Sequence, residues 1–461
     1  MKVKEQNIVL SILITSIALE GLDAFSIFSV PFPWFGVSIL FLIIPVYYFF
    51  NLSITSSNFG LLKYWILYII AVSVIKAISF DLEMPEYATS SYFQFVGLRV
   101  IKILSFFIIV WVIQILGSHF TVNKIIEYVA YIGVFISLLS LYSYFSYFLD
   151  LSDFNRSRPG SGGWTQPIQR ACSILRNYGT FREPSFLAVW TVPFIPLNFY
   201  LARKSNKWYF LSIFPILSLV LTRSLTGVIS ILLASLAISF FYLLKSKKLE
   251  FNFILPIIMI LFVSFVANNI SYKFPPLDPS MCPPNSEDKC DCSIYDDTVD
   301  KAKNSENIAE SIFSRATLIV GGGIDGFGNF SYLIEHVLNE NVKIFGDGLG
   351  SSNIIYSYKF EKLTAQVKSG EIVFRNPGQI VSFNNLYANI YFSSGLLGLI
   401  WFLLILFKYM YSLFRNSEII NYYLAIQFFS ILLMYFFQAE ELSALLGLSV
   451  GLIIQEGQNN E

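Results

Sequence analysis

Charge is what this sequence has least of. Of its 461 residues only 13% are Asp, Glu, Lys or Arg, about half the roughly 25% of an ordinary soluble chain. Basic and acidic residues balance at 31 each, so no net field draws in nucleic acid. His119 and His336 are its two histidines, and cysteine is limited to four residues. Such scarcity of charge excludes a soluble enzyme and a disordered chain. So few cysteines in so long a chain exclude a disulfide-rich secreted scaffold. Heptads and short internal repeats are missing too. Apolar residues fill the space: 55% are hydrophobic and 17% aromatic, and the mean hydropathy is +0.61. The balance points to an integral membrane protein.

About 20 mostly apolar residues are needed to cross the hydrocarbon core as a helix. Runs of that kind occur at 7–25, 32–51, 61–80, 94–116, 125–148 and 184–201. Others follow at 208–222, 224–244, 252–270, 384–408, 418–437 and 441–455. The expectation is an all-α polytopic membrane protein of about twelve spans, because the runs are long and lack the alternation of barrel strands. Pro193, Pro196, Pro215 and Pro256 fall inside runs, which a bundle tolerates where neighbours re-satisfy the freed carbonyls.

Short connections with Lys2, Lys4, Lys124, Arg203, Lys204, Lys207, Lys245, Lys247, Lys248, Lys408 and Arg415 alternate with connections carrying Asp81, Glu83, Glu86, Glu440 and Glu441. By the positive-inside rule both termini are cytoplasmic, and the long segments 149–183 and 271–383 face outward. The chain then divides into N-terminal helices (1–148), an outer loop (149–183), central helices (184–270), a large extracytoplasmic loop (271–383) and C-terminal helices (384–461). Cys172, Cys282, Cys290 and Cys292 all fall in the two outer segments, where pairing is chemically allowed and the connectivity is open. A zinc site is disfavoured by Cys-x7-Cys-x-Cys without a nearby His. No cleavable signal peptide is evident, and the first apolar run reads as an anchor.

Within the large loop, 300–320 is helical in pattern, with Ile308, Ile312, Phe313, Ala316 and Ile319 on one face. Two glycine clusters follow, at 321–326 and 346–350. Neither opens a βαβ unit, so both read as turns rather than as a dinucleotide fingerprint.

The informative residues are cations at the outward ends of spans. Arg99 and Lys102 stand three apart, hence on one helical face. Arg176 and Arg182 precede the sixth apolar run, Arg223 lies in a tight outer turn, Arg315 is on the loop helix and Lys76 ends the third run. Any one of them alone can snorkel to headgroups or pair with an acid such as Glu83, Glu183 or Glu440. Several on one face instead suit an anion, because guanidinium groups grip phosphate oxygens with forked hydrogen bonds. In the outer leaflet such an anion is a lipid-linked phosphate or diphosphate.

The stretch Arg176-Asn177-Tyr178-Gly179-Thr180-Phe181-Arg182-Glu183-Pro184-Ser185 resembles a signature of the bacterial O-antigen and capsule (Wzy-type) polysaccharide polymerases, which are related to the O-antigen ligases. The Ser314-Arg315 helix, the 344–350 glycine cluster and 384–399, with Asn384 and Asn385, are similar to the part of that superfamily that closes the large loop and starts the next span. Thr222-Arg223-Ser224-Leu225-Thr226-Gly227 is similar to its central Ser/Arg turn. The likeness covers about 170–400. Ligases of the superfamily carry a histidine where this chain has Asn384 and Asn385, which favours polymerase over ligase.

The resemblance implies an all-α, GT-C-like fold in the bacterial plasma membrane. The reaction it implies joins undecaprenyl-diphosphate-linked oligosaccharide units, alongside a flippase and a chain-length regulator, without cofactor or metal. Charge developing on the diphosphate must be stabilised. Arg176, Arg182, Arg223 and Arg315 are the expected clamp, with Arg99 and Lys102 beside them and Asn384 and Asn385 as further substrate contacts. Glu183 is the expected base, unless it serves only the dipole of the helix it opens; His336 is an alternative. Trp164, Tyr178, Tyr387 and Tyr391 are candidates to stack on sugars. Replacing Arg176 or Arg182 by Ala is expected to abolish long chains. The rivals are an O-antigen ligase, which transfers to lipid A core, and a repeat-unit flippase or secondary transporter, for which midplane charges and related halves are the marks.

Overall fold

The computed structural model describes residues 3–50, 59–86, 88, 90–158, 174–247, 250–267, 270, 342–358, 380, 382–383, 385–415, 418–437 and 441–459. Helices occupy the apolar runs. In chain order they are α1 (Val3–Glu20), α2 (Phe32–Phe41), α3 (Ile43–Phe49), α4 (Gly60–Ile78), α5 (Tyr92–Gly117), α6 (Val122–Leu149), α7 (Pro184–Thr191), α8 (Phe194–Ala202), α9 (Lys207–Leu221), α10 (Leu225–Ser246), α11 (Phe251–Ala267), α12 (Leu386–Arg415), α13 (Ile419–Phe437) and α14 (Ala444–Asn459). Two-residue strands β1 (Ser26–Ile27) and β2 (Val30–Pro31) pair antiparallel between α1 and α2. Among the described residues eight stretches are long and apolar enough to cross a membrane: α2 with α3, α4, α5, α6, α7 with α8, α10, α12 and α13. The helices α1, α9, α11 and α14 are apolar over shorter lengths. The chain is thus a mostly helical, multi-pass membrane protein.

Local chemistry sets several helix ends. Ser91 caps α5 by accepting from the Gln94 amide, and Pro184 opens α7, where its missing N–H costs nothing. Pro193 divides the 184–201 run, so that α7 ends at Thr191 and α8 begins at Phe194. Tight helix contacts rest on small residues: a Cβ on Gly447 of α14 would lie 2.8 Å from the Phe106 carbonyl oxygen of α5. At the same seam the Gln114 amide donates to the Gly451 carbonyl at 3.0 Å.

One end of the bundle gathers the last turns of α1, α4, α6, α9 and α13 with the first turns of α2, α5, α7, α10, α12 and α14. Backbone bonds tie it together, Ala24 donating to Thr180 at 2.9 Å and Asn177 to Leu221 at 2.8 Å. The opposite end holds basic connections. There Arg203 pairs with Glu250 at 3.2 Å, and Lys245 donates to the Phe414 carbonyl at 2.6 Å.

The helix α12 is broken at Gly395, whose φ of 75° lies in the region open mainly to glycine. The non-helical stretch 343–348 fills the break. Leu396 donates to the Lys343 carbonyl at 2.9 Å, and Asp347 and Gly348 donate to Phe392 and Ser393 at 2.9 Å each. A short helix over 351–358 follows, with Ile354 and Tyr356 fully buried. The 342–358 part of the 271–383 segment is therefore packed into the bundle, where backbone groups freed by the break find partners. Gly348 and Gly350 adopt φ of 84° and 77°, in keeping with the turn reading of that cluster.

Candidate functional site

At the first end a cavity of about 500 Å³ is walled by α1, α2, α5, α7 and the start of α14. Four cations, Arg99, Lys102, Arg158 and Arg182, and three carboxylates, Glu20, Asp23 and Glu441, line it. Its deeper lining is mostly apolar, with Val37, Leu40, Ile109, Val189 and Leu445 beside Ser16 and Ser105. From Arg99 to Ile109 along α5 is about 15 Å at the 1.5 Å helical rise, or about half the hydrocarbon thickness.

The charges form two trios. In the first, Arg99 and Lys102 come from one face of α5 and each binds one oxygen of Glu441, just before α14. The two elements meet there because α14 packs along α5. Phe95 lies 5.0 Å beneath the Arg99 guanidinium, and Trp34 lies 5.7 Å from the Lys102 ammonium. In the second trio Asp23, just past α1, binds Arg158 through one oxygen and Arg182 Nε through the other, the latter at 2.8 Å. Arg158 also donates to the Asp23 carbonyl at 3.0 Å, and Arg182 lies over Phe186 at 5.1 Å. Each trio keeps one positive charge in excess.

Burial alone would raise the Glu441 carboxyl, but Arg99, Lys102 and Arg182 outweigh it and hold the group below its ordinary value. Burial pushes the Arg158 guanidinium down, against the pull of Asp23, and the nearby Arg182 adds to that fall. Between the trios stands Glu20, the last residue of α1, in electrostatic range of Lys102 and Asp23. Its Oε2 is buried and has no hydrogen-bond partner.

Of the residues singled out in the sequence, the cavity brings together Arg99, Lys102 and Arg182. Arg176 and Arg223 sit instead at the α9–α10 turn and are not part of this lining. Arg176 Nε donates to the Thr222 carbonyl at 2.9 Å, and Arg223 is buried with φ of 52°. Glu183 is the residue before Pro184 at the start of α7, and it accepts from Ser185 Oγ at 2.9 Å. The cavity wall runs from Arg182 to Phe186 without it. Asn385 ties α12 to α13, its amide donating to the Phe436 carbonyl at 2.6 Å while its oxygen accepts from Ala388. Tyr178 is buried under Arg156 at 4.2 Å and bonds Tyr147 at 3.1 Å; burial pushes its phenol up. Tyr387 donates to the Leu432 carbonyl at 3.0 Å. Arg315, Asn384, Glu440, His336, Trp164 and the four cysteines lie outside the described residues.

Glu20, Asp23 and Arg158 were not anticipated, and Glu441 was read only as a loop acid. A signal was present for the first two: Glu20-x-x-Asp23 closes an apolar run, and a carboxylate near the hydrocarbon needs a reason as much as a cation does. Arg158 carried none. Among the described residues no group of three or more His, Cys, Asp or Glu is arranged to hold a metal ion. No family model matches this chain, and neither the curated proteins nor the solved structures contain a match to it.

Proposed function

We propose that the protein is a glycosyltransferase of the plasma membrane that joins undecaprenyl-diphosphate-linked oligosaccharide units into a polysaccharide, an O-antigen or a capsule. In this reading the chain spans the bilayer twelve times with both termini cytoplasmic, and the cavity opens at the outer face. The observation that carries it is the juxtaposition of two net-positive trios with a deep apolar pocket. A diphosphate on a polyprenyl tail is an anion followed by a hydrocarbon, and this cavity offers both surfaces in that order.

The clamp then consists of Arg99, Lys102, Arg158 and Arg182, while Arg176 and Arg223 hold the α9–α10 turn behind it. Charge that grows on the departing diphosphate is met by cations already held in place by their carboxylate partners, so little reorganisation is needed as the bond breaks. Asp23 and Glu441 keep those cations oriented, and the excess charge on each trio serves one phosphate.

The break in α12 favours a different reading, since transporters build substrate sites from discontinuous helices. Here the freed backbone groups are bonded to residues 343–348, which supports the enzyme reading over transport. The test is binding of undecaprenyl diphosphate to the purified protein in nanodiscs, together with the chain-length ladder of cells carrying variants. Loss of binding in Arg99→Ala and Arg182→Ala, with products stalled at one unit, is the expected result. Polymer that still accumulates on undecaprenyl diphosphate in those cells would identify a ligase instead.

A further inference from the structure

The cavity holds one carboxylate oxygen with nothing to do. Asp23 uses one oxygen for Arg158 and the other for Arg182. Glu441 is committed in the same way, one oxygen to Arg99 and the other to Lys102. Glu183 is bonded to Ser185 and lies outside the lining. The hydroxyls of Tyr435 and Ser443, also in the wall, are bonded to each other. Glu20 alone among the described carboxylates of the wall presents a buried oxygen, Oε2, that no donor reaches. A buried acceptor in that condition costs free energy unless something fills it in the working state. Its position at the end of α1, between the two trios, makes that something a donor on the bound substrate.

We infer that Glu20 is the catalytic base, accepting the proton of the incoming sugar hydroxyl. This rests on the diphosphate reading of the same cavity. The hydroxyl oxygen attacks the anomeric carbon and the new glycosidic C–O bond forms. The bond from that carbon to the diphosphate oxygen breaks, and its electron pair leaves with the diphosphate into the cation trios. The hydroxyl proton passes to Glu20 Oε2, so atoms and charges balance without a metal or a second reactant. The paired carboxylates are unsuited to this role because protonating either would release two cations from it.

The test uses Glu20→Gln and Glu20→Asp in the full chain. Glutamine keeps the shape and cannot take the proton. Binding of undecaprenyl diphosphate to purified Glu20→Gln in nanodiscs should match the parent. Chain extension in cells should fall by about 10²- to 10⁴-fold, the usual share of a general base, leaving single-unit product. Glu20→Asp, with a shorter reach, should extend chains slowly and bind normally. Parent-length ladders from Glu20→Gln overturn the inference, and so does loss of diphosphate binding along with extension, which would make Glu20 a structural residue. Should Glu20→Gln fail to fold, parent-length chains from Glu20→Asp overturn it on their own. If the unmodified protein fails to bind undecaprenyl diphosphate, the underlying functional reading falls instead, and the Glu20 variants are not to blame.

Discussion

Glu441→Gln is the sharpest probe of the electrostatic design, because it should weaken the protein and strengthen its grip on anions at once. Glu441 holds Arg99, whose side chain is 15% exposed, and Lys102, which is 42% exposed. Breaking a well-buried pair by removing one partner costs about 3–5 kcal/mol. The Lys102 half is screened by solvent and adds at most about 1 kcal/mol. A loss of roughly 3–6 kcal/mol is therefore expected in the empty protein, since two like charges are left facing each other without the carboxylate that bridges them. The same change leaves the first trio with two excess charges, so a diphosphate should recover much of the loss. Thermal unfolding in detergent, with and without undecaprenyl diphosphate, reads both effects. The variant should unfold several degrees below the parent when empty and show the larger upward shift when ligand is added. Equal unfolding temperatures in the empty proteins, or an equal ligand shift, would refute the pairing of Glu441 with Arg99.

Acidity offers a second check on the same group. The Glu441 carboxyl is held below its ordinary value, so it binds protons less readily folded than unfolded, and its contribution is complete above the unfolded value near about 4.3. The difference in unfolding temperature between parent and Glu441→Gln should stay constant from neutrality down to that range and shrink as pH falls further toward the folded value. Gly395→Ala should destabilise severely, as judged by yield of folded protein, because φ is 75° there and the new Cβ would lie 2.2 Å from the Ile344 carbonyl oxygen. Gly97→Ala in α5 meets nothing within 4 Å, so its unfolding temperature should hold or rise slightly, worth at most about 1 kcal/mol from helix propensity.

The bilayer explains which parts of this fold were legible in sequence. Hydrocarbon demands long apolar helices with internally paired backbones, and that demand is written locally in each run. The break at Gly395 is different in kind. Ser-Ser-Gly inside an apolar run is unremarkable, and the helix gives way there because residues 343–348 arrive from some fifty positions upstream to pair with it. Arg99, Lys102 and Arg182 stood out because cations at the outward ends of spans conflict with the charge rule for topology. Asp23 and Glu441 conflict with nothing in that rule, which counts cations and gives acids little weight. Their pairing with the cations is a fact of packing, α14 on α5 and both Arg158 and the 174–182 stretch on the end of α1, and no local spacing encodes it.

The two arginines of the 176–185 motif look equivalent in sequence, yet their surroundings predict different failures. Arg182 Nε binds Asp23, and its side chain is 31% exposed. In Arg182→Ala, Asp23 keeps its other partner Arg158, so the stability cost should stay near about 1 kcal/mol. The second trio, however, loses its excess charge and becomes neutral. Loss of a charge-assisted, forked contact to one phosphate should lower diphosphate affinity at least about tenfold, taking about 1.5–3 kcal/mol for a hydrogen bond to a charged group. Arg176 is outside the cavity and donates to the Thr222 carbonyl just after α9, beside the left-handed Arg223. In Arg176→Ala that buried carbonyl loses a donor, at a cost of about 1–3 kcal/mol, while every cation of the two trios stays in place. Arg176→Ala should therefore unfold earlier but bind undecaprenyl diphosphate as the parent does, whereas Arg182→Ala should unfold almost normally and bind poorly. Arg176→Lys restores charge without the Nε donor and should behave like the alanine variant in stability. If Arg176→Ala instead loses affinity at full stability, the clamp includes the α9–α10 turn, and the division between a gripping and a bracing arginine is wrong.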